Sequence, residues 1–310
     1  MNRLQPGTLR ARTLEATRRA RQSGALQPIP TSEEVLEQAG IPFVIRRLAE
    51  NDIQSTSLHR KEQATGGNFL DRSPFLPYDT ALFVSDISDT HVCLLNKFSV
   101  MAGHLLIVTR VFEEQEMLLT LADFEALWLC MAEFDGLGFY NGGKVAGASQ
   151  RHKHLQFVPL PFKAGGPPVP VAAALEQTRF DGEIGRSPVL PFAHAVTQVD
   201  ARWPAAPADA AHATFELYQK LLAAVGLPPD RQSGRQPGPY NLLLTRQWLW
   251  LVPRSQEYVD GISVNALGFA GSLFARDEEQ YGLIRQIGPL EALRRAGIAH
   301  TGAQTQLAQK

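Results

Sequence analysis

Short apolar runs broken by turn residues dominate the first half of the chain. Ala81–Ser85 (ALFVS), His91–Phe98 (HVCLLNKF) and Gly103–Arg110 (GHLLIVTR) are rich in β-branched and aromatic residues, which predicts consecutive antiparallel strands. The period then lengthens. Phe124, Leu127, Trp128 and Met131 recur at helical spacing, and Thr120 with Asp123 gives a capping box where that helix opens. In the second half Phe215, Tyr218, Leu221, Leu222 and Val225 predict a helix that ends at Gly226. Tyr240–Thr245 and Trp248–Val252 predict a tight hairpin, and Asp277–Ala299 predicts further helix. Pro159–Pro170 and Arg202–Ala211 read as connections, being too rich in breakers for regular structure. Near the N-terminus, Leu9, Thr13 and Ala16 to Ala20 give a helix with a modest buried side and a solvated basic face. Transit peptides share its arginine-rich, acid-poor composition, but the helix is the preferred reading. Strands followed by a helix in each half predict an α+β protein with a largely antiparallel sheet and flanking helices.

Composition narrows the classes. With 310 residues, 44% of them hydrophobic, the chain can bury a substantial core. A net charge of -1 disfavours non-specific nucleic-acid binding. The two cysteines, Cys93 and Cys130, each lie in an apolar run. They argue against a disulfide framework and a cysteine zinc site, and for a cytoplasmic location. No apolar run reaches the roughly 18 residues that a membrane-spanning helix needs.

The chemistry concentrates in GASQRHKHLQF, Gly147–Phe157. In a strand, residues two apart share a face, so His152, His154 and Gln156 are expected on one side and Lys153, Leu155 and Phe157 on the other. His-x-His alone fits a solvated strand edge or a metal site equally well. The flanks favour another use. Asn141-Gly142-Gly143 and Gly147-Ala148-Ser149-Gln150 make a small-residue loop whose backbone N–H groups could approach an anion. It is no phosphate loop, because Ala148 stands where the lysine belongs and a strand follows instead of a helix. A neutral imidazole is a competent nucleophile toward phosphorus. His154 would attack, and His152 would orient its ring or bind a phosphate oxygen. Gln156 donates hydrogen bonds but is no proton source. Such a site suits leaving groups and acceptors that are already stable anions, which points to nucleotidyl transfer more than to hydrolysis.

His152-x-His154-x-Gln156 resembles the transferase branch of the histidine-triad superfamily, in which the last triad histidine is glutamine. The motifs PFLPYD (Pro74–Asp79), LLNKF (Leu94–Phe98), GHLLIVT (Gly103–Thr109), YNGG (Tyr140–Gly143), GASQRHKHLQ (Gly147–Gln156) and YNLLLTRQWLWLVPR (Tyr240–Arg254) resemble, in that order, the diadenosine tetraphosphate phosphorylase (ATP adenylyltransferase) family. The resemblance implies a histidine-triad-like fold in one domain, residues 1–310. Within it lie an N-terminal helical segment (1–60), a catalytic region (61–165) and a C-terminal region completing the nucleotide site (166–310). It implies reversible phosphorolysis of diadenosine tetraphosphate to ADP and ATP through an adenylylated histidine. His154 would be the nucleophile, with His152 beside it and Gln156 on the transferred phosphate. Asn141, Gly147, Ala148, Ser149 and Gln150 would bind nucleotide and phosphates, with Asn96 and Lys97 at the nucleotide site. Lys61 would be a further phosphate ligand, and Thr245 and Arg254 are the polar candidates of the C-terminal hairpin. No tightly bound cofactor is implied; any Mg2+ would arrive with the substrate phosphates. The expected partners are small nucleotides, with no nucleic acid and no membrane. Arg151 departs from the proline common at that position, which bears on the local backbone. Hexose-1-phosphate uridylyltransferases, nucleoside-diphosphate-sugar phosphorylases and a nucleotide sensor without turnover are the alternatives.

Overall fold

The computed structural model describes residues 3–48, 73–230 and 232–299. Its strands, in chain order, are β1 Thr31–Gln38, β2 Ile41–Leu48, β3 Phe83–Asp86, β4 His91–Leu95, β5 Leu105–Thr109, β6 Gly136–Gly142, β7 His154–Pro159, β8 Arg179–Asp181, β9 Ile184–Arg186, β10 Ala195–Gln198, β11 Tyr240–Leu244, β12 Trp248–Pro253, β13 Tyr258–Val259, β14 Ile262–Ser263 and β15 Ser272–Ala275. Ten of them form one sheet in the order β3-β4-β5-β7-β6-β11-β12-β10-β9-β8, antiparallel at every pairing. The two halves of the chain meet at β6 and β11, where Asn141 lies opposite Asn241. β1, β2 and β15 make a small second sheet, in which β2 and β15 are parallel.

The side-chain period of two divides the large sheet into two faces, each with its own apolar core. On one, Leu105, Ile107, Leu155, Phe157, Leu242 and Leu251 pack against the helices Leu121–Glu133 and Pro207–Ala224. Phe124 and Trp128 are fully buried there, the phenyl group alone being worth about 1.5–3 kcal/mol. The Leu121–Glu133 helix starts as its sequence prescribes. Thr120 caps the Asp123 N–H, and the Asp123 carboxylate accepts the Thr120 N–H at 2.6 Å. The N-terminal helix Leu9–Gln22 buries Leu9, Thr13, Ala16 and Ala20, so its inward stripe is the expected one. The opposite sheet face, with Leu137, Phe139, Val158, Trp250 and Val252, is covered by β2 and the C-terminal segments.

Several boundaries differ from expectation. The second long helix opens at Pro207, inside the stretch that reads as a connection, because proline is suited to a helix's first turn. The C-terminal helix is two helices, Glu278–Ile287 and Pro289–Ala296, broken where Gly288 takes φ +84° before Pro289. Among the described residues no helix is long and apolar enough to cross a membrane.

Candidate active site

β7 carries the triple, although its ladder starts only at His154; His152 precedes it in an isolated bridge to Glu114. His154 and Gln156 face the side of the sheet away from the Leu121–Glu133 helix, while Leu155 and Phe157 enter the core beneath that helix. The His154 ring packs on Phe75 with centroids 5.5 Å apart. Its Nδ1–H donates to the His152 carbonyl at 2.8 Å. That bond leaves the lone pair on Nε2, for which no hydrogen-bond partner is seen among the described residues. Burial pushes the His154 pKa down to about 4, and the neighbouring His152 ring adds to that. At neutral pH the ring is therefore an uncharged imidazole, with Nδ1 held as a donor and the lone pair on Nε2.

Gln156 is oriented by a chain of hydrogen bonds. His104 Nε2 lies 2.8 Å from Gln156 Oε1, and His104 Nδ1 lies 3.3 Å from Asn96 Nδ2. Asn96 can only donate with that nitrogen, so His104 accepts at Nδ1 and donates at Nε2. Burial lowers the His104 pKa to about 4, which matches this neutral tautomer. The Gln156 oxygen is thereby occupied, which leaves its NH2 group as the donor on offer at the cleft.

Beside the triple lies a cleft of about 930 Å³, lined by Asn96, His104, Asn141, Gln156 and the loop Gly147–Arg151. Asn141 and Gly142 belong to β6, not to the loop. The Asn141 oxygen accepts from Asn241 Nδ2 at 2.8 Å and Ala266 N–H at 3.0 Å, which leaves its amide nitrogen as the donor on offer. Gly147 takes φ +89°, and a Cβ there would stand 2.7 Å from Asn265 Cβ; only glycine lets the loop lie this close. Arg46, Lys144, Arg151 and Arg235 supply positive charge along the walls. Three of them are paired, Arg46 with Glu33, Arg151 with Glu114 and Arg235 with Glu116.

Other expected site residues sit elsewhere. His152 has Ser73 Oγ 2.6 Å from Nδ1 and the Thr109 carbonyl 2.8 Å from Nε2, so both ring nitrogens are engaged and neither is left for a phosphate oxygen. It serves His154 through its carbonyl instead. Lys97 is not on the cleft wall; its ammonium lies over the Phe98 ring at 5.2 Å, and that ring forms part of the wall. Thr245 closes the β11–β12 hairpin, its hydroxyl accepting from the Gln247 and Trp248 N–H groups. Arg254 is neither a surface charge nor a cleft residue. It is 1% exposed and donates to Asn241, Ala146, Ala296, Gln256 and Val264, binding the loop before Gly147 to the C-terminal segments. Lys61 lies outside the described residues. Among those described, no group of three His, Cys, Asp or Glu could hold a metal ion.

The family model for the Ap4A phosphorylase N-terminal domain matches residues 1–177, and that for the ATP adenylyltransferase C-terminal domain matches residues 188–299. The chain belongs to the Ap4A phosphorylase family. Among its relatives, the yeast (Saccharomyces cerevisiae) protein named diadenosine 5',5'''-P1,P4-tetraphosphate phosphorylase 2 is 26% identical over 256 residues, 74% of this chain and 78% of that protein. Yeast protein APA1 is 27% identical over 229 residues, 68% of this chain and 70% of that one. The crystal structure of yeast Ap4A phosphorylase Apa2 shares the fold, with a TM-score of 0.76, 23% identity and coverage of 97% of this chain and 98% of that one.

In this Ap4A phosphorylase family member the fold also brings to the cleft and the triple residues that carry no local signal in the sequence. His104 lies inside the quoted GHLLIVT motif, whose apolar run reads simply as a strand; only the register Leu106↔Gln156 brings it to the triple. Arg46 comes from β2, whose partner β1 is so charged that the pair gave no strand signal. Gln115 stands in the run Glu113-Glu114-Gln115-Glu116, which reads as a solvated turn, yet it is buried. On the far face Lys153 is also fully buried, with Asp123 Oδ2 at 2.7 Å and the Leu118 carbonyl at 3.0 Å. Asp123 accepts from His91 Nε2 at 3.0 Å as well, and these partners hold its carboxyl below the usual carboxylate range despite burial.

Proposed function

We propose that the protein is a nucleotidyltransferase that cleaves diadenosine tetraphosphate (Ap4A) with phosphate, reversibly, to ADP and ATP. In the first step His154 Nε2 bonds to the α-phosphorus. The bond from that phosphorus to its bridging oxygen breaks, and ATP departs with the electron pair. In the second step a phosphate oxygen attacks the same phosphorus, the N–P bond breaks, and ADP leaves with His154 neutral again. Gln156 Nε2 donates to a non-bridging oxygen throughout, while Asn141 and the Gly147–Gln150 loop hold the polyphosphate. Magnesium would be carried by the substrate phosphates.

The observation that carries this reading is the neutral His154 ring, held at Nδ1, two residues before a glutamine whose donor group is fixed by His104. The name of one yeast relative and the crystal structure of yeast Apa2 in complex with Ap4A support the substrate. The side chains nearest His154 favour an acceptor that is already an anion. Water must lose a proton as it attacks. Gln156 cannot take it, the His152 nitrogens are engaged, and His104 already donates at Nε2. Phosphate arrives as an anion and needs no such base. Incubation with Ap4A should give ADP plus ATP in the presence of phosphate and little product without it. AMP plus ATP at equal rates in both conditions would mean a hydrolase.

A further inference from the structure

The β6–β7 ladder stops two residue pairs short of Asn141 and His154. Pairing runs from Gly136↔Pro159 to Phe139↔Gln156 and does not continue to Asn141 and His154. One side-chain carboxamide fills the gap. Gln115 Oε1 accepts the His154 N–H at 2.8 Å, and Gln115 Nε2 donates to the His154 carbonyl at 3.1 Å and to the Asn141 carbonyl at 2.9 Å. Gln115 is itself held at both ends of its peptide unit. Its N–H donates to the Arg151 carbonyl at 2.6 Å, and its carbonyl accepts from the Tyr140 hydroxyl. The adjoining Lys153 N–H donates to the Glu113 carbonyl at 2.8 Å, so the strap 113–115 runs along the chain just ahead of β7.

We propose that Gln115 is a positioning residue for the transfer, acting as an inserted rung between β6 and β7. A direct rung would draw the two backbones to about 5 Å. The interposed carboxamide holds them further apart and still satisfies the buried backbone groups. His154 and Asn141 thus keep the separation at which one can attack a phosphorus while the other binds the same substrate. Only an amide serves here. A carboxylate, such as its neighbours Glu113, Glu114 and Glu116 carry, would accept from the His154 N–H but face two carbonyl oxygens with no proton to offer.

This proposal rests on His154 as the nucleophile, and its test separates the two. Gln115→Met keeps length without hydrogen bonds, and Gln115→Glu keeps the acceptor alone once ionised. Gln115→Met should lower kcat at least tenfold while the Kd for AMP stays within twofold, since the groove is intact but the attack geometry is lost. Gln115→Glu should work best at low pH, where its protonated carboxyl can still donate, and lose activity as pH rises; the wild type should show no such loss. Hydrogen exchange of the 152–156 segment should quicken in Gln115→Met, a readout independent of turnover. A kcat within twofold of wild type with unchanged exchange would overturn the proposal, as would a Gln115→Glu pH profile like that of wild type. If His154→Ala turns over normally, the nucleophile assignment fails, while the exchange result still decides whether Gln115 holds the strand.

Discussion

Acidification should unfold this protein earlier than ordinary histidines would allow. His154 and His104 each have a pKa pushed down to about 4 in the folded chain, mainly by burial. In the unfolded chain an imidazole titrates near 6.5. Between those values the unfolded state binds more protons than the folded state, so stability rises with pH. The contribution is fully present above about pH 6.5 and gone below about pH 4. Lowering the pH from 7 to 5 should cost about 2 kcal/mol for each ring, hence about 4 kcal/mol for the pair. His152, lowered by burial too, acts in the same direction. Urea unfolding followed by tryptophan fluorescence at pH 7, 6 and 5 measures the slope. His104→Gln removes one of the two rings but keeps an amide donor near Gln156, and should roughly halve the loss. A midpoint that is flat from pH 7 to 5, or a His104→Gln variant with the wild-type slope, would refute the assignment of neutral, buried rings. The same rings set the kinetics. The acid limb of kcat/KM should lie well below 6.5, because a protonated His154 has no lone pair at Nε2.

Asp123→Asn should destabilise the fold by roughly 3–5 kcal/mol, since it leaves the fully buried Lys153 without its nearest counter-ion, and thermal unfolding should show it. A loss under about 1 kcal/mol would mean that Glu113, at 3.2 Å, compensates. Arg254→Met should cost on the order of 3 kcal/mol of stability, through the carbonyls left without a donor. If instead the KM for Ap4A rises with the unfolding temperature unchanged, Arg254 contacts substrate after all.

Local rules made much of the fold legible. The capping box at Thr120 and Asp123, the hairpin around Thr245 and the strands β4 and β5 each carry their signal within a few residues. His154 and Gln156 were readable because the strand period alone puts them on one face. Roles that depend on distant pairing were not. Arg254 reads from the sequence as a polar candidate of the C-terminal hairpin, but its surroundings come from residues 146, 241, 264 and 296. His104 is 52 residues from Gln156 and meets it only through the β5–β7 register. Gln115 was hidden by its acidic neighbours, whose charge marks a surface while the one amide among them points inward. β1 and β2 escaped because β1, with Glu33, Glu34 and Glu37, is a solvated edge, and its hydrophobic pattern is too thin to announce a strand.

In the proposed reaction the adenylyl group is bonded to His154 after ATP leaves and before phosphate attacks. The most direct test is to mix the protein with Ap4A labelled at the α-phosphorus, without phosphate, quench within one turnover, and map the label. The mechanism predicts label on the peptide that contains His154, lost in acid, stable in base, and discharged as labelled ADP when phosphate is added. His154→Ala should carry none. Label on a serine or lysine, label on the His154→Ala variant, or turnover at the wild-type rate with no labelled protein at any time would contradict it.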